Sequence, residues 1–133
     1  MAQLANDIPQ SESRRDQWVA RVEAFVNQII EWAAEENWAV DKNSKTIHER
    51  VIGQYVVPTL RVRLPLGEIH VNPVGLHVVG ADGRVDIEAF PTLNRVKLIG
   101  VNNQWEVYTD SNVPLRQPWT RKTFTQLAQD LLA

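Results

Sequence analysis

Five side chains that can carry protons or ligate a metal lie within one short stretch of this chain: Glu68, His70, His77, Asp86 and Glu88. Imidazoles and carboxylates together suit two kinds of chemistry. They can divide general acid and general base roles, or they can hold a divalent cation. Crowded carboxylates also raise the pKa of one another, a common device of acid–base sites. The catalytic candidates are therefore Glu68, His70, Asp86 and Glu88, and the metal-ligand candidates are His70, His77, Asp86 and Glu88.

Whether these groups meet depends on strands. Glu68, His70 and Asn72 alternate with Ile69 and Val71, and Asp86 and Glu88 alternate with Val85, Ile87 and Ala89. Such alternation places each polar set on one sheet face. Asp82-Gly83 is a strong two-residue hairpin signal. Taken as the loop, it pairs Ala81 with Arg84, Val79 with Asp86 and His77 with Glu88. Leu76, Val78, Ile87 and Ala89 then point toward a helix. A solvated sheet face would show the same alternation without any catalysis.

The nearest resemblance to a nuclease is partial. Restriction-nuclease-like enzymes carry a strand ending near Pro-Asp, then (Asp/Glu)-x-Lys on the following hairpin strand, often with a glutamate from the first helix. Here Asn72-Pro73 is followed by Asp86-Ile87-Glu88, and the first helix offers Glu23, Glu31, Glu35 and Glu36. Glu88 is followed by Ala89-Phe90, so the motif lysine is missing, and Lys97 belongs to a different predicted strand. No family follows from this. Gly75, Gly80 and Gly83 do not lead into a helix as a phosphate-cradling loop must, and no serine or threonine sits in a nucleophile elbow.

The positioning elements are legible from periodicity. Trp18, Val22, Phe25, Ile29 and Trp32 recur in steps of three and four, widened by Val19, Val26, Ile30 and Ala33. They predict an amphipathic helix from Arg14 to about Asn37, entered through a Ser13–Asp16 capping box. Residues 1–12 read as a flexible polar leader, which leaves 13–133 as one domain. Trp38–Lys42 and Lys45–Glu49 suggest a hairpin about Asn43-Ser44, and Pro58 marks an edge, a bulge or a strand start in Tyr55–Leu64. Pro73 stops or bends the strand that carries His70. Further strands are expected at Arg95–Val101 and Gln104–Thr109, joined by Asn102-Asn103. Thr120 caps a last helix to about Leu132. Connections this short require antiparallel pairing. The predicted fold is α+β: a long N-terminal amphipathic helix packed on an antiparallel β-meander of about five to seven strands, with a short C-terminal helix.

Composition narrows the function classes. The 133 residues hold no cysteine, which removes disulfides, thiol catalysis and thiolate zinc sites. The net charge of −2 offers no global attraction to nucleic acid. Arg61 with Arg63, and Arg95 with Lys97, could form a basic stripe, but Glu68, Asp86 and Glu88 dilute it, so nucleic acid is not an expected partner. No apolar run suits a signal peptide or a membrane span, which points to a cytoplasmic protein. Five tryptophans are many for this length. Most should wall the core, and Trp105 and Trp119 are the interface candidates.

Three readings follow. The first is a non-catalytic protein-interaction or adaptor domain, whose partner is another protein or a second copy of the chain, with no cofactor. The second is a metal-dependent hydrolase or nuclease-like enzyme using the carboxylate and histidine face, with a divalent metal required under that reading alone. The third is a small-ligand site between sheet and helix.

Overall fold

The computed structural model describes residues 2–78, 81–109, 114–115 and 118–133; side chains are described from residue 12 onward, except at 78, 81, 114 and 115. The expected α+β fold is present. Helix α1 (Ala2–Glu35) precedes strands β1 (Ala39–Glu49), β2 (Gly53–Leu64), β3 (Gly67–Val78), β4 (Ala81–Phe90), β5 (Arg95–Val101), β6 (Gln104–Tyr108) and the two-residue β7 (Pro114–Leu115), and helix α2 (Arg121–Leu131) follows. Each strand pairs antiparallel with the next, in sequence order across one sheet. Among the described residues no helix is long and apolar enough to cross a membrane.

The apolar stripe of α1 is the centre of the core. Trp18, Val22, Phe25, Val26, Ile29 and Ala33 are buried, facing Ile69, Val71, Val85, Ile87, Ala89 and Leu98 of the sheet. α2 adds Phe124, Leu127, Ala128 and Leu131. Its N-cap is Thr120, whose hydroxyl accepts from the Thr123 amide at 3.3 Å, as its sequence position predicts. One sheet face is thus covered by helices and the other is open, the usual arrangement when strands alternate apolar and polar residues. Tryptophan rings line the seam between α1, α2 and β6. Phe25 lies 4.9 Å from Trp105 and 5.3 Å from Trp119, and Trp32 and Phe124 extend the series.

Several expectations are corrected. α1 begins at Ala2 rather than Arg14, so the segment read as a leader is its first part. Ser13 is inside the helix and accepts from Gln17 Nε2 one turn on, so it caps nothing. No turn forms at Asn43-Ser44. Those residues pair with Thr59 and Pro58 in the continuous strand β1, because β2 offers a partner along its whole length. Pro73 bends β3 without ending it, at a register shift between Pro73 and Gly75.

The largest correction concerns Asp82-Gly83. Both residues lie within β4, and the hairpin closes between Val78 and Ala81, with Val79 and Gly80 outside the described residues. Gly83 answers a different demand from that of a turn. It has φ +109, and a Cβ there would run into the six-membered ring of Trp18. The glycine therefore seats a tryptophan.

β2 and β3 pair only from Leu60↔Val71 to Leu64↔Gly67. Beyond that point β2 keeps β1 but leaves β3, and Pro58, which has no N–H, lies just past the last pair. Burial alternation inverts there. Leu60 and Val62 are buried in the paired half, Tyr55 and Val57 in the free half. A two-stranded ribbon twists more than a full sheet. The free half of β1–β2 coils until its other face meets α1.

Two substitutions separate crowding from backbone conformation. Gly83→Ala is expected to lose about 3 kcal/mol, combining overpacking with a left-handed φ. Gly53 has φ +79 and nothing within 4 Å of a built Cβ, so Gly53→Ala should lose only about 1 kcal/mol. Urea denaturation of both variants measures the difference.

Candidate functional site

The open face of the sheet brings most of the predicted site residues together, in an order set by strand register. One row crosses five strands: Asp41 pairs with Arg61, Arg61 with His70, His70 with Glu88, and Glu88 with Arg95. Flanking rows place Arg63 beside Glu68, and Asn72 beside Asp86 beside Lys97. Asp41, Arg61, His70, Asn72, Asp86, Glu88 and Arg95 line a shallow hollow of about 580 Å³ on this face.

Glu68, His70, Asp86 and Glu88 are therefore neighbours, but three of them are already engaged. Glu68 accepts from His70 Nε2 at 2.8 Å, and this bond holds its carboxyl below the usual range despite some loss of hydration. Asp86 receives Arg84 in a two-pronged pair, at 2.8 and 3.0 Å. Asp41 receives Arg63 at 2.7 Å. Opposite charges sit beside one another along and across the strands. Glu68 is not arranged as a proton donor at neutral pH. Among the described residues no group of three or more His, Asp or Glu is placed to hold a metal ion.

His77 departs from this set. The expected His77–Glu88 pair depended on a turn at Asp82-Gly83. In the observed register His77 lies opposite Asp82, while His70 takes the place opposite Glu88. Glu88 is six residues from Asp82, about 20 Å along a strand. His77 thus cannot share a metal with Asp86 and Glu88.

A second polar cluster, which sequence reading missed, surrounds Glu49. Trp18 Nε1 donates to the Tyr55 hydroxyl at 3.0 Å, and Tyr55 in turn donates a short hydrogen bond to Glu49. The Glu49 carboxylate also accepts the backbone N–H of Leu76 at 3.0 Å and of His77 at 2.8 Å. These amides belong to the part of β3 that β2 has left, so the carboxylate satisfies donors that a neighbouring strand would otherwise take. The Glu49 side chain is 12% exposed. Burial pushes its pKa up, but bonds from Tyr55, His77 and Leu76 outweigh that and hold it below the usual range. Burial together with the Glu49 charge pushes the Tyr55 phenol well up. No periodicity marks Glu49, since its partners come from β2, from the free edge of β3 and, through Tyr55, from α1.

His77 sits between this carboxylate and α1. Its Nδ1 is 3.5 Å from Glu49 Oε1, and its Nε2 is 3.1 Å from a terminal nitrogen of Arg14. A guanidinium can only donate, so Nε2 is the acceptor and the proton rests on Nδ1, toward Glu49. Beside this contact a cleft of about 640 Å³ opens between α1 and the hairpin tips, lined by Arg14, Gln17, Trp18, Arg21, Leu76 and Asp82, with Asn103. Arg21 crosses its end. It donates to the carbonyls of Asp82 and Gln104 at 3.1 and 2.9 Å and lies 4.4 Å from the Trp105 ring centre.

Trp105 and Trp119 are half-buried and pack against the core. Trp105 also lines a smaller hollow of about 350 Å³ with Phe25, Gln28 and Glu31. The indole N–H of Trp119 is buried with no acceptor among the described residues.

Compared with known proteins, the chain matches no family model, no curated protein and no solved structure.

The Glu49 cluster has a pH signature. A carboxyl whose pKa is lowered by folding stabilises the fold above its unfolded pKa of about 4.3, and that stability is lost as pH falls through the lower folded value. Glu49→Gln should lose about 2 kcal/mol at pH 7, because bonds to a charged acceptor are replaced by weaker ones. The gap between variant and parent should shrink steadily below about pH 4. Denaturation midpoints across pH test this, and a pH-independent gap would count against the assigned role.

Proposed function

We propose that this domain is a non-catalytic interaction module that docks through the open face of its sheet, and that the partner is a second copy of the chain. The observation that carries this reading is the order of charge along the central row. Asp41, Arg61, His70, Glu88 and Arg95 run negative, positive, imidazole, negative, positive across β1 to β5. Turned over about an axis along β3, the row complements itself. Asp41 then faces Arg95 of the second copy, Arg61 faces Glu88, and His70 faces its own counterpart. In the next row Asn43 comes opposite Lys97 by the same operation. Isologous two-fold docking is the commonest form of homo-oligomer, and charge order of this kind sets register and excludes shifted arrangements.

The engagement of the carboxylates favours this reading over catalysis. Arg63 holds Asp41, His70 holds Glu68 and Arg84 holds Asp86. A face of charges in fixed positions suits recognition, where complementary potentials govern specificity and association rate.

A charge-swap series tests the docking. Light scattering on the purified chain should show a dimer that weakens as salt rises. Arg61→Glu and Glu88→Arg should each weaken it by about tenfold or more, by setting like charges opposite one another, and the double variant should recover most of the loss. A monomer at about millimolar concentration would overturn docking to a second copy, since that bounds any dimer at about −4 kcal/mol or weaker.

Titration with Mn²⁺ addresses the hydrolase alternative. We expect no saturable heat at millimolar metal, and saturable binding abolished by His70→Ala would overturn the non-catalytic reading.

A further inference from the structure

The cleft beside α1 differs from the open face in its charge balance. On the open face, cations and carboxylates alternate across paired strands. In the cleft, Arg14 donates to an imidazole nitrogen and Arg21 donates to two backbone carbonyls. Among the described residues no carboxylate comes within ion-pair distance of either guanidinium. Asp82 lines the same cleft and acts on Arg21 from farther away. Two cations thus share the space with Asp82, and the Glu49 carboxylate stands on the far side of His77.

The surrounding groups give that charge a context. Arg14, Gln17, Trp18 and Arg21 stand three or four residues apart, which puts them on one face of α1. Leu76 supplies apolar surface, with only the edge of the buried Trp18 reaching the cleft, and the amides of Gln17 and Asn103 supply neutral hydrogen-bonding groups. The volume of about 640 Å³ is that of an ordinary small-molecule site. The geometry also leaves Arg14 available. His77 Nε2 accepts from Arg14, and an imidazole carries no negative charge to compensate the guanidinium. One terminal nitrogen is used, and the rest of the planar fork can take an oxyanion in two-pronged fashion.

We propose that this cleft binds a small organic oxyanion, a carboxylate or phosphate carried on a flat apolar body, with Arg14 as its principal charge partner. The anionic end lies against Arg14, with Gln17 and Asn103 at its margins. The body lies against Leu76, at the exposed edge of Trp18. Arg21 closes the far end and remains on its carbonyls. The site shares no lining residue with the hollow on the open sheet face, so it is independent of docking there.

Nuclear magnetic resonance titration of the full chain tests the proposal, with inorganic phosphate, phenyl phosphate and benzoate as probes. Saturable shifts are expected at the Trp18 indole N–H, the Arg14 side chain and the Asn103 amide. Phenyl phosphate or benzoate should bind about tenfold or more tightly than inorganic phosphate, by burying the ring. The preference between those two identifies the oxyanion as phosphate or carboxylate. Arg14→Gln should weaken binding about tenfold or more, while Arg63→Gln on the open face should leave it unchanged. Shifts that never saturate, that map to the open face, or that survive Arg14→Gln would overturn the site. Each of those results leaves the light-scattering test of self-docking intact.

Discussion

The architecture depends on one carboxylate at the place where the sheet comes apart. β2 pairs with β3 for only a few residues and then departs, leaving backbone donors on β3 without a neighbouring strand. An unpaired buried amide costs on the order of 1–3 kcal/mol, so a split sheet needs a substitute acceptor. Glu49 provides it for Leu76 and His77, and through Tyr55 it extends to the Trp18 indole. Trp18 is in turn seated against Gly83 of β4. Helix, ribbon and hairpin are held by a chain of contacts in which every member is needed by the next.

The two polar regions embody opposite uses of charge. Strand pairing on the open face brings each arginine next to an acid, so the local potential alternates over the distance between strands and cancels at longer range. Such a surface discriminates at contact and attracts little from afar. Around α1 the cations face imidazole and carbonyl groups, with Asp82 and the Glu49 carboxylate farther off, so charge there is not matched pair by pair as it is across the strands. A net charge of −2 for the whole chain conceals this division.

What could be read from the sequence followed the range of the interaction responsible. The stripe from Trp18 to Ala33 and the alternation in β4 are local, periodic patterns, and both appeared where expected. So did the Thr120 cap and the Asn102-Asn103 turn. The errors arose where a local signal had a distant cause. Gly83 resembled half of a turn dipeptide but is required by a tryptophan 65 positions earlier. Asn43-Ser44 resembled a turn but lies in a strand that β2 keeps extended. The open face was nonetheless recovered in part, because His70 and Glu68 keep their parity whatever the register. His77 was misplaced through the shifted hairpin. Glu49 was invisible, since nothing local distinguishes a glutamate that caps a sheet edge from one that points into water.

The C-terminal helix has a consequence for the order of events during synthesis. Its Leu131 carbonyl accepts from Thr92 and Asn94 in the β4–β5 loop, at 2.7 and 2.9 Å, and its Phe124 lies against Trp32, Trp38 and Trp119. Trp32, Trp38 and the β4–β5 loop are made tens of residues earlier. Until α2 has left the ribosome, Trp32 and Trp38 have no ring to cover them, and the loop has no carbonyl to bind. Translation delivers about 5–20 residues per second, so the meander waits seconds with an apolar flank uncovered. Closure is a late, long-range event, and the nascent chain in that interval is the form most in need of a chaperone.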